Sequence, residues 1–333
     1  MRVHPGSPLV SIITPSFNQV DYIEDAILSV LAQDYPSIEY GVVDGGSTDG
    51  SVELIEKYAH QLAWWVSEPD EGQAAAINKG MERANGEIVA WLNSDDLLMP
   101  GAVEQAVKAL MQDPELGFVY GDALSIDGAG SPIGRLKFAD WDFVDLLSFR
   151  IICQPAVFMQ RDCYVRAGGL EPGYHFMLDH HLWIRIAGLA RIKYVPLLWA
   201  AARHHDMAKN VAQATGFGRE TMHLLDWMKN QADFAPVVAR NRRRVQGGAQ
   251  RLNARYLLDG EEYADALKAY GRAFLDRPAY TLQHWRRILY ALLGSVGGMQ
   301  SALKPLFRRW QQRRRVDQAQ LEGLENWPGL SLK

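Results

Sequence analysis

Four short apolar runs alternate with three amphipathic segments across the first 92 residues, and this alternation constrains the fold more than any other feature of the chain. Leu9 to Thr14, Ile38 to Val43, Leu62 to Val66 and Ile88 to Leu92 carry β-branched and aromatic residues and read as buried strands. Between them, Tyr22, Ile23, Ala26, Ile27, Val30 and Leu31 keep helical spacing, as do Val52, Ile55 and Ala59, and then Ala74, Ile77 and Met81. Asp21 and Glu24 have the spacing of a capping box at the first of these helices. Strands and helices of this length in alternation predict an α/β fold, a mostly parallel sheet with helices on both faces.

The predicted strands end in polar chemistry. Thr14 leads into Pro15-Ser16-Phe17, Val43 into Asp44-Gly45-Gly46, Val66 into the loop Glu68 to Gly72, and Leu92 into Asn93-Ser94-Asp95-Asp96. In open α/β sheets ligands bind outside the carboxyl ends of the strands, so these loops are expected to line one crevice. Adjacent aspartates there suit a hard divalent cation that also carries substrate phosphates, whereas a solvated turn with helix-capping acids is the plainer alternative. The chain has neither a GxGxxG after its first strand nor a GxxxxGK[ST], which argues against a dinucleotide oxidoreductase and a P-loop NTPase.

Further along, Pro100 is expected to open a helix through Val103, Val107 and Leu110, followed by a strand at Gly117 to Tyr120 and a turn at Asp127 to Gly130. Trp141, Phe143, Leu146 and Leu147 predict a short amphipathic helix, and Ile151 to Met159 a strand. A helix begins near Asp179, and strands are predicted at Ile192 to Val195 and Leu197 to Ala202, before Arg203-His204-His205.

Taken in order, IITPSFN (Ile12 to Asn18), VVDGGSTD (Val42 to Asp49), LNSDD (Leu92 to Asp96), Gln154-Pro155 with Phe158, Asp179 with Leu182-Trp183-Ile184-Arg185, and Arg203 with His205 resemble the motif set of the family 2 glycosyltransferases with the GT-A fold. The resemblance covers roughly residues 8 to 225 and implies a Rossmann-like GT-A domain over residues 1–225. By this similarity Pro15 and Phe17 lie against the nucleotide base and Asp44 hydrogen-bonds it. Asp70 and Gln73 face the ribose and sugar, Asp95 contacts ribose or sugar, and Asp96 is the metal ligand, with His205 completing the metal shell or touching the diphosphate. Asp179 matches the catalytic base. The family resemblance further implies Mn²⁺ or Mg²⁺ as cofactor, a nucleoside diphosphate sugar donor with UDP favoured, inversion at the anomeric carbon, and a saccharide or lipid-linked saccharide acceptor. Ser94-Asp95-Asp96 replaces an Asp-x-Asp, so one direct carboxylate ligand is expected rather than two.

Two other readings compete. A sugar-nucleotide pyrophosphorylase shares a related sheet but has a Gly-rich, basic loop after the first strand, which Thr14-Pro15-Ser16-Phe17 is not. A non-catalytic helical scaffold with a degenerate transferase domain sits poorly with intact Asp44, Asp96 and Asp179. His175, His180, His181 and His204 lack the fixed spacing to cysteines or acids of a zinc site. Most tryptophans sit in apolar runs and read as core, with Trp141 and Trp183 kept as sugar-stacking candidates.

Charge divides the chain. Residues 226–333 hold 19 Lys and Arg against 10 Asp and Glu, while residues 1–225 hold 16 against 29. Similarity fades after about residue 225, and residues 226–333 are expected to form a separate basic helical region. Ala254 to Ala279 predicts one helical hairpin of tetratricopeptide type, and an apolar stripe from Trp285 to Trp310 is flanked by arginines. Its charge-free core, Ile288 to Leu303, is shorter than the roughly 20 residues a membrane span needs. The stripe therefore either lies on an anionic leaflet or packs on the catalytic domain. No nucleic-acid recognition motif accompanies the charge. Two cysteines, Cys153 and Cys163, and the lack of a visible signal peptide predict a cytoplasmic protein, peripheral on the inner membrane face if the stripe binds lipid.

Overall fold

The computed structural model describes residues 7–205, 209–295 and 321–332. The described residues form two compact units, one within Met1–Asp140, Ile152–His204 and Arg315–Lys333, the other within Trp141–Ile151 and His205–Arg314.

The first unit runs β1 (Val10–Ser16), α1 (Ile23–Leu31), β2 (Ile38–Asp44), α2 (Ser51–Tyr58), β3 (Trp64–Ser67), α3 (Gln73–Arg83), β4 (Ile88–Trp91), β5 (Leu97–Leu98), α4 (Ala102–Met111), β6 (Leu116–Asp127) and β7 (Pro132–Leu136). After a segment belonging to the other unit come a 3₁₀ turn (Gln154–Ala156), β8 (Val157–Gln160), α6 (Arg161–Arg166), α7 (Leu178–Leu189) and β9 (Arg191–His204). Among the described residues the strands form one sheet in the order β3-β2-β1-β4-β8-β6-β9-β5, with β7 paired to β6.

The sheet is mixed. Its β3-β2-β1-β4 half is parallel, as the strand-helix alternation requires, whereas β8 pairs antiparallel with β4 and β6, and β5 antiparallel with β9. All of β1 and β4 is buried, which explains why β4 is continuously apolar and why β1 admits only the small polar Ser11, Thr14 and Ser16 rather than alternating with charged residues. Ile12, Tyr40, Val42, Ile88, Ala90 and Phe158 pack with Ile23, Ile27, Val103 and Leu110 in the main core. Gly41 lets Trp64 lie across β2, since a Cβ there would fall 2.3 Å from the indole.

Several local expectations shift. Asp21 and Glu24 form no capping box: α1 has Tyr22 at its N-cap with no side-chain hydrogen bond, because Glu24 accepts instead from Lys57 and Tyr58. The strand expected at Ile151 begins only at Val157, since Pro155 closes a 3₁₀ turn. The two strands predicted at 192–195 and 197–202 are one, β9, with register shifts against β6 absorbing Pro196. Residues 321–332 return to this unit: Leu324 joins a small core with Leu97, Met99, Leu124, Ile126 and Ala201, and the Trp327 indole donates to the Leu98 carbonyl at 2.7 Å.

The second unit holds α5 (Phe143–Leu147) and the helices α8 (Lys209–Ala212), α9 (Ala214–Asn230), α10 (Ala235–Arg240), α11 (Arg242–Asp259), α12 (Tyr263–Asp276), α13 (Pro278–Leu282) and α14 (Trp285–Gly294). α5 carries the capping box absent from α1, with Asp142 accepting from the Asp145 N–H. The helical hairpin expected at 254–279 is α11 and α12, longer at its start than the hairpin motif. α9 crosses residue 225 and belongs to this helical unit. The stripe beyond Ser295, with Lys304 and Arg308 to Arg315, lies outside the described residues. Among the described residues no helix is long and apolar enough to cross a membrane.

Candidate active site

Parallel register aligns Ser16, Asp44 and Ser67 in one row at the carboxyl edge of β1, β2 and β3. Asp44 is fully buried there. It accepts from the Gly46 and Ser47 N–H groups, from the Ser47 hydroxyl at 2.5 Å and from the Ser67 hydroxyl at 2.7 Å. Burial of an acid is tolerable when its lone pairs are this well supplied, so Asp44 holds the Gly45-Gly46 loop open beside β1. Gly46 takes φ +82°, a conformation that excludes most side chains.

Pro15 is buried within β1, and Phe17, just beyond it, is 61% exposed. A Cβ on Gly45 would lie 3.0 Å from Asp70 Oδ2 and 3.3 Å from the Phe17 ring, so Phe17, Gly45 and Asp70 line the same crevice. The crevice wall is fixed by a second set of bonds: the Asn18 N–H donates to the Ser47 hydroxyl, the Thr48 N–H donates to Asn18 Oδ1, and Asp49 accepts from the Val20 N–H. Asp70 Oδ1 turns back to the Gly72 N–H at 2.7 Å, which sets the start of α3 at Gln73.

Gln73 then reaches the aspartate loop. Its amide donates to Asn93 Oδ1 at 2.8 Å, and the Asn93 amide donates to Asp96 Oδ2 at 3.3 Å. Asp96 is 6% exposed, with burial first and the neighbouring Asp95 charge second raising its carboxyl well above the ordinary carboxylate range. Its Oδ1 accepts from the Arg203 N–H at 3.0 Å. The Arg203 guanidinium donates to the Asp95 carbonyl (3.0 Å) and the Gly128 carbonyl (3.1 Å), pairs with Asp25 (3.1 Å) and lies 5.0 Å from the Tyr22 ring centre. Antiparallel pairing of β5 with β9 explains this arrangement, because Leu97 opposite Ala201 brings Asp95 level with Arg203. Asp25 and Asn93 are members of the site that sequence reasoning missed. Arg203 was visible there as a motif residue, but its grip on the aspartate loop depends on a strand pairing between residues more than a hundred positions apart.

Asp179 is the second residue of α7, whose N-cap is Met177, and its Oδ1 accepts from the His180 N–H at 2.7 Å. Trp183, one turn on, stacks on Trp91 of β4 with ring centres 5.2 Å apart and touches Phe118 at 5.1 Å. Such a pair contributes about 1 kcal/mol beyond its burial and ties the helix of Asp179 to the strand leading into Asp95 and Asp96. Because Trp183 is fully buried in that stack, it is not a sugar platform. The buried Cys153 thiol registers both acids: burial raises its pKa first, then the charges of Asp96 and Asp179. The charges of Asp96, from the loop after β4, and of Asp179, from the first turn of α7, thus both act on that thiol.

A hard divalent cation fits this donor set. Asp96 offers carboxylate oxygen whose protein partners are two N–H donors, in a buried and acidic setting that a cation would relieve. Among the described residues no three His, Cys, Asp or Glu side chains converge, which suits an ion that keeps water and substrate phosphates rather than a closed protein cage. His180 and His181 are buried in α7, and His205 follows directly on β9.

A family model described as glycosyl transferase family 2 matches residues 11–143. An uncharacterized glycosyltransferase of Mycobacterium tuberculosis (strain CDC 1551 / Oshkosh) is 32% identical over 185 residues, 55% of this chain and 70% of that protein. The chain belongs to glycosyltransferase family 2. The Bacillus subtilis (strain 168) protein TuaG is 42% identical over 108 residues, 32% of this chain, and the match spans only 43% of TuaG. Among solved structures, S. aureus TarS 1-349 in complex with UDP-GlcNAc aligns with a TM-score of 0.57 at 16% identity, over 93% of this chain and 94% of that one. The mannosyltransferase PcManGT from Pyrobaculum calidifontis, in complex with GDP-Man and Mn²⁺, aligns with a TM-score of 0.58 at 22% identity, over 97% and 88%. These likenesses establish the GT-A architecture of this family 2 member.

Proposed function

We propose that this family 2 chain is an inverting, divalent-metal-dependent glycosyltransferase that moves a sugar from a nucleoside diphosphate sugar to a saccharide or lipid-linked saccharide. The observation that carries the reading is the Trp91–Trp183 stack, which ties α7, with Asp179 in its first turn, to β4, the strand that leads into Asp95 and Asp96. One carboxylate sits just beyond the end of a sheet strand and the other enters on a helix, which suits the two to different roles.

In this reading Pro15, Phe17 and Asp44 receive the base, with Phe17 the exposed ring that covers it. Asp70, Gln73 and Asp95 face ribose and sugar. Asp96, with His205, would hold Mn²⁺ or Mg²⁺, which supplies charge neutralisation for the departing diphosphate. Asp179 accepts the proton of the acceptor hydroxyl as its oxygen bonds to the anomeric carbon. The bond from that carbon to the diphosphate oxygen breaks on the opposite face, giving inversion. Arg203 and Asn93 keep the Asp96 carboxylate in one orientation throughout.

UDP is the favoured donor nucleotide, and the two structural neighbours carrying UDP-GlcNAc and GDP-Man define which bases to compare. We place the protein in the cytoplasm, peripheral on the inner membrane face. Trp285, Leu289 and Leu292, exposed along one side of α14, support an interfacial contact beside the basic tail.

Calorimetric titration with a panel of sugar nucleotides, with and without Mn²⁺, tests the reading. Mn²⁺-dependent binding of one nucleotide sugar, lost in Asp96→Ala, is expected. Asp179→Asn is expected to bind that donor normally and transfer nothing. Failure of every sugar nucleotide to bind would return the chain to the scaffold reading.

A further inference from the structure

The helical unit contains an arginine cluster that the transferase chemistry does not use. Arg150, at the end of α5, lies 4.8 Å from the Tyr280 ring centre, Arg277 lies 4.3 Å from it and Arg251 5.8 Å from it, so three guanidiniums surround one phenol. Arg255 and Arg287 join them on α11 and α14, and both pair with the same carboxylate, Asp259, at 3.5 Å and 3.3 Å. Arg150 and Arg277 pair with no carboxylate among the described residues. Arg251 donates through Nη2 to the Phe149 carbonyl at 3.1 Å, while its Nε is buried without an acceptor. All five are at least partly buried.

Each guanidinium brings five N–H donors in a planar fork and no acceptor. Three of them around Tyr280, with Arg255 and Arg287 nearby sharing Asp259 and with Asp145 acting on Arg277 from a distance, make a region rich in donors and positive charge and poor in acceptors. A ring face compensates only part of a half-buried charge. The electrostatic consequence is seen on the neighbouring His284, whose pKa falls to about 4 through burial first and then the charges of Arg251, Arg287, Arg150 and Arg255. The ligand that completes such a cluster has several acceptor oxygens and more than one negative charge, and a phosphate group matches the forked geometry of arginine.

We propose that Arg150, Arg251 and Arg277 around Tyr280 form a binding site for a phosphate or diphosphate group on the helical unit, separate from the nucleotide crevice. The group is carried either by a free soluble phosphate or by a lipid headgroup.

The test is calorimetric titration of the full chain with pyrophosphate in the presence of a chelator, which keeps divalent ions from the aspartate loop, at ionic strength held constant with chloride. Saturable binding is expected, weakened roughly tenfold or more in Arg277→Gln and in Arg150→Gln, the loss of one charge-assisted contact. Neither guanidinium is in an ion pair among the described residues, and glutamine keeps the stem that Arg277 lays against Gly247, so the unfolding transition of each variant is expected to stay close to that of the parent without ligand. Arg272→Gln removes an exposed charge from α12 and is expected to bind as the parent does. Absence of saturable binding overturns the proposal. So does equal weakening by Arg272→Gln, which would indicate a diffuse positive field. Sedimentation with phosphatidylcholine vesicles doped with phosphatidic acid separates the sources. Vesicle binding lost in Arg277→Gln and kept in Arg272→Gln assigns the site to a headgroup. Pyrophosphate binding with vesicle binding untouched by Arg277→Gln assigns it to a free phosphate.

Discussion

The backbone N–H of Arg203 donates to Asp96 at 3.0 Å while the guanidinium of the same residue donates to the Asp95 carbonyl at 3.0 Å, so one residue of β9 grips both members of the aspartate pair. The remaining guanidinium nitrogens reach Gly128 and Asp25 with the side chain 2% exposed. Arg203 thus holds the loop at two points, the Asp95 carbonyl and the Asp96 carboxylate.

Arg203→Lys keeps the charge and loses the fork. One ammonium cannot satisfy the Asp95 and Gly128 carbonyls and Asp25 together, and a destabilisation of about 2–4 kcal/mol is expected from urea unfolding. The backbone bond to Asp96 survives, so donor binding should be recoverable at higher Mn²⁺ concentration. Undiminished stability would show that the fork contributes nothing.

Gly45→Ala places a methyl 3.0 Å from Asp70 Oδ2 and 3.3 Å from the Phe17 ring, two groups near the protein surface that can move. Stability should change by less than about 1 kcal/mol, whereas KM for the donor should rise about tenfold with kcat little altered, because the methyl fills the crevice rather than the reacting centre. Steady-state kinetics on the identified donor separates the two parameters.

Much of this was legible in the sequence, and the boundary follows the range of the interactions. Local pattern located the strands and helices from β1 to β4, because a parallel sheet covered on both faces makes its strands predominantly apolar. Strand ends then marked Asp44, Asp70 and Asp96. Local signals misled at Asp21 and Glu24, where Lys57 and Tyr58 won Glu24 from the helix end. Nothing local signals that Asp25 meets Arg203 178 residues away, or that Trp327 bonds Leu98 across 229. Those depend on strand pairing and on the return of the chain's last segment, which carry no spacing rule. The arginine cluster was visible only as net positive charge, since the residues that meet at Tyr280 come from four separate helices or helix ends.

That last segment supports the aspartate loop from its far side. Trp327 covers the apolar group of Leu97, Met99, Leu124, Ile126 and Ala201, and its indole N–H satisfies the Leu98 carbonyl. Trp327→Ala should cost about 3 kcal/mol in unfolding, the usual penalty for emptying a large aromatic site. Since Leu97 directly follows Asp96, Mn²⁺-dependent donor binding should weaken as well, by about tenfold. A variant destabilised but with unchanged Mn²⁺ dependence would confine the segment to a purely structural role.

His284 makes the stability of the helical unit depend on pH. Its pKa stands at about 4, against an ordinary value of 6.5, because burial and the surrounding arginines disfavour the imidazolium. Between those two values the unfolded chain binds a proton that the folded chain refuses, so stability falls as pH drops through 6.5 and levels off near 4. After allowance for solvent screening, about 1 kcal/mol should be lost between pH 7 and pH 5 from this group. Urea unfolding at several pH values would show that slope in the parent and a shallower one in His284→Gln, where no proton can be taken up. Pyrophosphate bound at the arginine cluster should raise the His284 pKa, measured by its imidazole proton resonance, and so flatten the slope in the parent as well.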